Sequence, residues 1–131
     1  ERYRCDGAAT VIVTMGSMCG TARDAVDALR DAGAAVGLVK LRLFRPLPAA
    51  ALREALAGVR DVVVLDRNHS PGVGGVLHQE LRAALYGVVD APRLHGLLAG
   101  VGGVNVAVDR IVAFVRDAER ATPRAESQWV R

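Results

Sequence analysis

A chain of 131 residues with 51% hydrophobic and 24% charged residues has the length and balance of a single domain that builds its own core, which argues against a long disordered tract. The net charge of +3 comes from 17 basic residues scattered among 14 acidic ones, without the long basic tract that nucleic-acid binding calls for, and no apolar run is long enough to span a membrane. Two cysteines, Cys5 and Cys19, lie in no CxxC or histidine-rich setting, so neither a zinc site nor an iron–sulfur cluster is expected from this chain.

In chain order, the first five residues are candidates for a short edge strand. Four apolar runs of strand length follow, at Thr10–Met15, residues 35–41, Asp61–Asp66 and residues 94–99, each leading into a helical pattern. They are rich in Val, Leu and Ile and do not alternate with polar residues, as expected of parallel strands covered on both faces. The first helix is expected to take Thr21 as its N-cap with Asp24 three residues on, to repeat Ala22, Val26 and Leu29, and to end at Gly33. The second follows Pro46-Leu47-Pro48, carries Leu52 and Leu56 and stops at Gly58. The third aligns Leu77, Leu81 and Leu85 and stops at Gly87. The fourth aligns Val108, Ile111, Val112 and Val115, with Asp109 near its positive end. Periodicity fades from Ala118, so the expected division is a folded domain over residues 1–117 and a polar tail over 118–131, with 122–131 read as a mobile tail or contact arm whose one large apolar residue is Trp129. The order β-α-β-α-β-α-β-α implies right-handed crossovers and helices on both faces of a mainly parallel sheet, an α/β/α sandwich.

In such a sheet ligands settle beyond the carboxyl ends of the strands, where strand order reverses. The loops that leave strands therefore carry the candidate residues. Gly16, Ser17 and Met18 either cradle a phosphate or carboxylate or form a tight strand-to-helix turn with Ser17 or Thr21 as its cap; the P-loop and dinucleotide fingerprints are both absent. Asp66, Arg67, Asn68 and His69 open the densest polar stretch. They make either an anion or subunit contact, with His69 titrating near neutral pH, or an ion-paired turn. Arg45, held before Pro46, makes either a contact to a subunit or carboxylate or a surface salt bridge. His78 and His95 are read as structural. No nucleophile–base–orienter signature is found, so no catalytic residue is assigned.

Three segments together resemble a known family: Val11-Ile12-Val13-Thr14-Met15-Gly16-Ser17-Met18, Val36-Gly37-Leu38-Val39-Lys40-Leu41-Arg42-Leu43-Phe44-Arg45-Pro46, and Val64-Leu65-Asp66-Arg67-Asn68. With the glycine turn Ala99-Gly100-Val101-Gly102-Gly103, they are similar to the C-terminal part of the α subunit of pyruvate:ferredoxin oxidoreductase, or pyruvate synthase. The resemblance implies a transketolase C-terminal-like fold, with a five-stranded sheet in order 1-3-2-4-5 whose first strand, within residues 1–5, is antiparallel. The reversal would then fall between the strands ending at Met15 and Asp66, so that the Gly16-Ser17 and Arg67-Asn68 loops flank one crevice.

The family oxidatively decarboxylates pyruvate with coenzyme A and ferredoxin, or runs the reverse reaction, using thiamine diphosphate, Mg2+ and iron–sulfur clusters. No cofactor is expected in this chain itself, since neither cluster cysteines nor a GDG-type diphosphate motif is present. The resemblance thus implies a cytoplasmic accessory domain, inactive alone, whose partners are the other domains or subunits of the oxidoreductase and, through the complex, ferredoxin. No nucleic-acid or membrane partner is expected. Beginning at Glu1 rather than Met, the chain reads as a processed or excised piece. The alternative is an independent Rossmann-like or flavodoxin-like domain that binds a small molecule or anion.

Overall fold

The computed structural model describes residues 1–130. Its strands are β1 (Arg2–Tyr3), β2 (Thr10–Met15), β3 (Val36–Leu41), β4 (Asp61–Asp66), β5 (His69–Ser70), β6 (Gly74–Gly75), β7 (Arg93–Leu98) and β8 (Gln128–Trp129); its helices are α1 (Met18–Asp31), α2 (Ala49–Ala55), α3 (Val76–Leu85) and α4 (Val108–Arg120). Six strands form one sheet in the order β1-β3-β2-β4-β7-β8, and β5 and β6 make a separate small hairpin. β1 runs antiparallel to β3, while the β2–β3, β2–β4, β4–β7 and β7–β8 pairs are parallel. The five strands expected from the sequence thus appear in the expected order, and a sixth joins them.

The apolar runs are uniform because both faces of the sheet are covered. Ile12, Leu38, Val63, Leu65 and Leu97 point to one face and pack with Ala22, Val26 and Leu29 of α1 and Ile111 and Val115 of α4. Val11, Val13, Val39, Val62 and Val64 point to the other, against Leu52 of α2 and Leu77, Leu81 and Leu85 of α3. Each such side chain, taken out of water, contributes about 1.5–3 kcal/mol.

Three boundaries differ from expectation. α1 begins at Met18, one turn before Thr21, because Ser17 already has helical dihedrals (φ −64°, ψ −22°) and Gly16, at φ +68°, makes the turn out of β2. Thr21 is therefore inside the helix and caps nothing. α4 continues to Arg120, with Ala118 buried against the core and Glu119 accepting a 2.7 Å hydrogen bond from the Thr10 hydroxyl. The segment read as a mobile tail returns to the sheet: Gln128 and Trp129 align with Leu97 and Leu98, and Val130 N–H donates to the Leu98 carbonyl at 2.9 Å.

That return is anchored by Ser127, which is buried. Its Oγ accepts from Gly75 N–H at 3.2 Å and lies 3.0 Å from His78 Nδ1. Gly96 of β7 makes room for the pair, since a Cβ there would lie 2.6 Å from Ser127 Oγ. His78 and His95 are both buried, and the latter bonds Asp61 through Nε2 at 3.0 Å.

Candidate functional site at the carboxyl ends of β2 and β4

The chain leaves β2 for β3 on one side and, after returning to β4, proceeds to β7 on the other. Connections from β2 and β4 therefore diverge, and the space beyond their carboxyl ends is left open between α1 and the loop after β7, the position where open α/β sheets hold ligands. Arg67, the first residue past β4, spans this opening. It donates through one terminal nitrogen to Ser17 Oγ at 2.7 Å and through the other to the Gly100 carbonyl at 3.2 Å. Gly100 has φ +74°, and a Cβ there would stand 3.1 Å from Arg67 Nε, so this close approach calls for glycine. Three strand-leaving loops are thus tied by one guanidinium around a cavity of about 320 Å3, on whose wall Thr21 and Asn105 add polar groups.

The structure brings together some of the residues singled out in sequence and separates others. Ser17 and Arg67 meet at the crevice, and Met18 lines it while its side chain belongs to the core; Gly16 makes the turn out of β2 and lines a neighbouring cleft with Cys19 and Lys40 instead. Asn68 is exposed, and its carbonyl accepts from Val76 N–H at 3.1 Å. His69 does not line the crevice and packs edge-on against the Trp129 ring, centroids 4.8 Å apart. Arg45 is not at the crevice: it pairs with Glu80 at 2.7 Å in the open and lies over the Phe44 ring, which is the surface salt bridge of its two readings.

Asp66 points inward rather than toward a ligand. Its two oxygens accept from the backbone N–H groups of Leu77 and His78 at 3.1 and 2.9 Å, capping the start of α3 from 11 and 12 residues upstream. Burial pushes this carboxyl up from its ordinary range, partly opposed by those two N–H donors. Burial likewise pushes the Cys19 thiol up, away from the reactive thiolate.

Sequence reasoning assigned no individual residue from the loop after β7. Gly100 and Asn105 belong to the crevice nonetheless; the signals for them were that their loop leaves a strand and, for Gly100, the glycine turn that helps carry the family resemblance. Among the described residues no three His, Cys, Asp or Glu side chains are grouped to hold a metal ion, and Cys5 is engaged with the carbonyls of Tyr3 and Leu38. What the crevice offers chemically is one cation, two hydroxyls and an amide, a set suited to binding an anionic group.

Residues 8–111 match the family model described as pyruvate:ferredoxin oxidoreductase core domain II. The chain is 38% identical over 130 residues to the pyruvate synthase subunit PorA of Methanothermobacter thermautotrophicus, covering 99% of this chain and 32% of that protein. It is 41% identical over 115 residues to the ketoisovalerate oxidoreductase subunit VorA of Pyrococcus furiosus, covering 88% and 29%. The chain thus spans about a third of these relatives. Among solved structures, a split-gene transketolase in an inactive β4 tetramer superposes with a TM-score of 0.68 at 23% identity, over 86% of this chain and 38% of that one, a likeness of fold.

Proposed function

The chain belongs to the pyruvate:ferredoxin oxidoreductase core domain II family, and from that premise we propose that it is an accessory and assembly domain of the α subunit of a thiamine-diphosphate-dependent 2-oxoacid:ferredoxin oxidoreductase in the cytoplasm. In this reading it makes contacts to other domains or subunits and shapes the surroundings of an active site built elsewhere. Thiamine diphosphate, Mg2+, iron–sulfur clusters, coenzyme A and ferredoxin belong to the assembled enzyme. Pyruvate is the first candidate substrate, with branched 2-oxo acids next because a ketoisovalerate enzyme stands among the relatives.

The observation that carries this reading is the match itself: the family model falls on residues 8–111 of a chain that spans only a third of a pyruvate synthase subunit. The purified chain is expected to give no pyruvate- and coenzyme A-dependent reduction of viologen, and to associate stably with the thiamine-binding subunit when the two are mixed. Turnover by the chain alone, or no association with that subunit, would overturn the proposal.

One feature favours a second reading, that of a free-standing anion-binding domain: the Arg67–Ser17–Gly100 arrangement around a cavity of about 320 Å3. It calls for saturable binding of coenzyme A or inorganic pyrophosphate by the chain without partners, weakened about tenfold or more by Arg67→Ala through loss of a charge-assisted hydrogen bond. Calorimetric titration separates the two readings.

A further inference from the structure

At the end of the sheet opposite the crevice, the last turns of α3, the start of β7 and residues 123–125 enclose a groove of about 630 Å3. We infer that this groove docks an acidic segment of another domain or subunit of the same oxidoreductase, an inference that rests on the assembly role proposed above. Three arginines, Arg82, Arg93 and Arg124, line it, and no aspartate or glutamate does. Arg93 is ion-paired to Asp61 at 2.7 Å and so adds shape rather than net charge. Arg82 donates only to neutral acceptors, Gln79 Oε1 and the Ala125 carbonyl, both at 3.1 Å, and Arg124 is exposed with no hydrogen-bond or ion-pair partner among the described residues. Two positive charges therefore line the groove without an ion pair among the described residues.

Beside them stand the most exposed large apolar side chains of the domain. Tyr86 is 90% exposed and Val89 is 85% exposed, both in the turn that follows α3. Tyrosine and arginine together at a surface are the residues that most often dominate protein–protein binding energy, and a tyrosine held out in water gains by covering its ring. The groove is also preformed. The Ala125 carbonyl is held by both Gln79 and Arg82, and Ser127 two residues on is buried, so little ordering remains to oppose a partner.

The same geometry argues against other occupants. The helix end at the groove is the carboxyl end of α3, which presents carbonyls rather than the amide cradle that binds phosphate. Two free charges without a basic tract make a poor nucleic-acid footprint. An acidic stretch with an apolar residue to cover Tyr86 suits what is there.

The test is photo-crosslinking in the assembled oxidoreductase carrying Tyr86→p-benzoylphenylalanine, with the captured peptide identified by mass spectrometry. The expected product joins position 86 to an Asp/Glu-rich segment of another domain or subunit, and the double variant R82E/R124E lowers the yield about tenfold by reversing the charges that hold it. Because Arg82→Glu also releases the Ala125 carbonyl, R124E alone is made as well and is expected to reduce the yield several-fold while leaving the fold unchanged. A yield no higher than from a probe at exposed Arg116 on α4, capture of a neutral or basic segment or of nucleic acid, or a yield insensitive to both variants would overturn the inference. The two readings fail differently. If the native chain does not join the thiamine-binding subunit, the assembly role falls; if it joins and the groove variants cross-link as before, only the groove inference falls.

Discussion

Replacing Gly96 by alanine tests the packing that brings the C-terminal segment back to the sheet. A Cβ at this position of β7 would lie 2.6 Å from Ser127 Oγ and 2.7 Å from His78 Cγ, and closer still to His78 Nδ1. Ordinary carbon contacts are about 3.5–4.0 Å. Both neighbours are buried, and His78 is fixed in the third position of α3, where its own N–H is held by Asp66, so neither side chain has solvent to swing into. If α3 moves off the sheet, the cost is that of overpacking, about 1–3 kcal/mol. If Ser127 is expelled instead, the Gly75 N–H and the His78 ring lose their partner while buried, at about 1–3 kcal/mol for each unsatisfied group. Either route predicts a loss near 3 kcal/mol, against the gain of about 0.4–1 kcal/mol when glycine is replaced at an unstrained site. With an m-value of about 1–3 kcal/mol/M for a small domain, the urea midpoint followed by far-UV circular dichroism should fall by about 1–3 M. Combining the change with His78→Ala should shrink its incremental cost, because the overlapping ring is gone and only the contact with Ser127 Oγ remains. An unchanged or raised midpoint for Gly96→Ala would refute the argument.

The opposite sign is expected at Gly20, which lies in α1 with nothing within 4 Å of an added Cβ and no positive φ: Gly20→Ala should raise stability by about 0.5–1 kcal/mol in the same urea titration. His78 is held down at about 4 by burial, with Arg82 and His95 adding to it, so the folded protein resists its protonation. Its contribution is complete above the unfolded value near 6.5 and is lost as pH falls from there toward 4, by about 3 kcal/mol in all. Unfolding titrations at pH 7 and pH 4.5 should show this loss relative to His78→Phe, a comparison in which the opposite trend of neighbouring Asp66 cancels. Burial would raise the Asp61 carboxyl, but hydrogen bonds from Arg93, Arg60 and His95 outweigh it and hold it below its ordinary range. Its stabilisation is therefore present above the unfolded value near 3.9 and disappears as pH falls through the lower folded value. Asp61→Asn should cost about 2–4 kcal/mol at pH 7, with two arginine partners half in water keeping the loss below that of a wholly buried pair, as measured by the shift in urea midpoint.

The amino-acid order by itself determined the sheet and its layers. Runs such as Val62-Val63-Val64-Leu65 are apolar at every position, and only a strand covered on both faces has a use for that. The i, i+4 leucines of α3 select one face of a helix in the same local way. Adding the family resemblance placed strand β1, the strand order and the crevice between the loops after β2 and β4, where Ser17 and Arg67 do meet. What the tertiary structure alone decided are the partnerships across long sequence separations. Asp66 reads as an exposed loop carboxylate, yet it turns inward because α3 begins with N–H groups that need an acceptor. Ser127 sits in a stretch with no periodicity, yet it is buried because His78 and Gly75, about fifty residues earlier, present a donor and a ring nitrogen across from Gly96. Arg124 and Tyr86 gain their meaning from sharing one groove. Periodicity reports the burial of a side chain on its own element; it carries no information about which polar group on another element will face it, because that is set only when helices and sheet have docked.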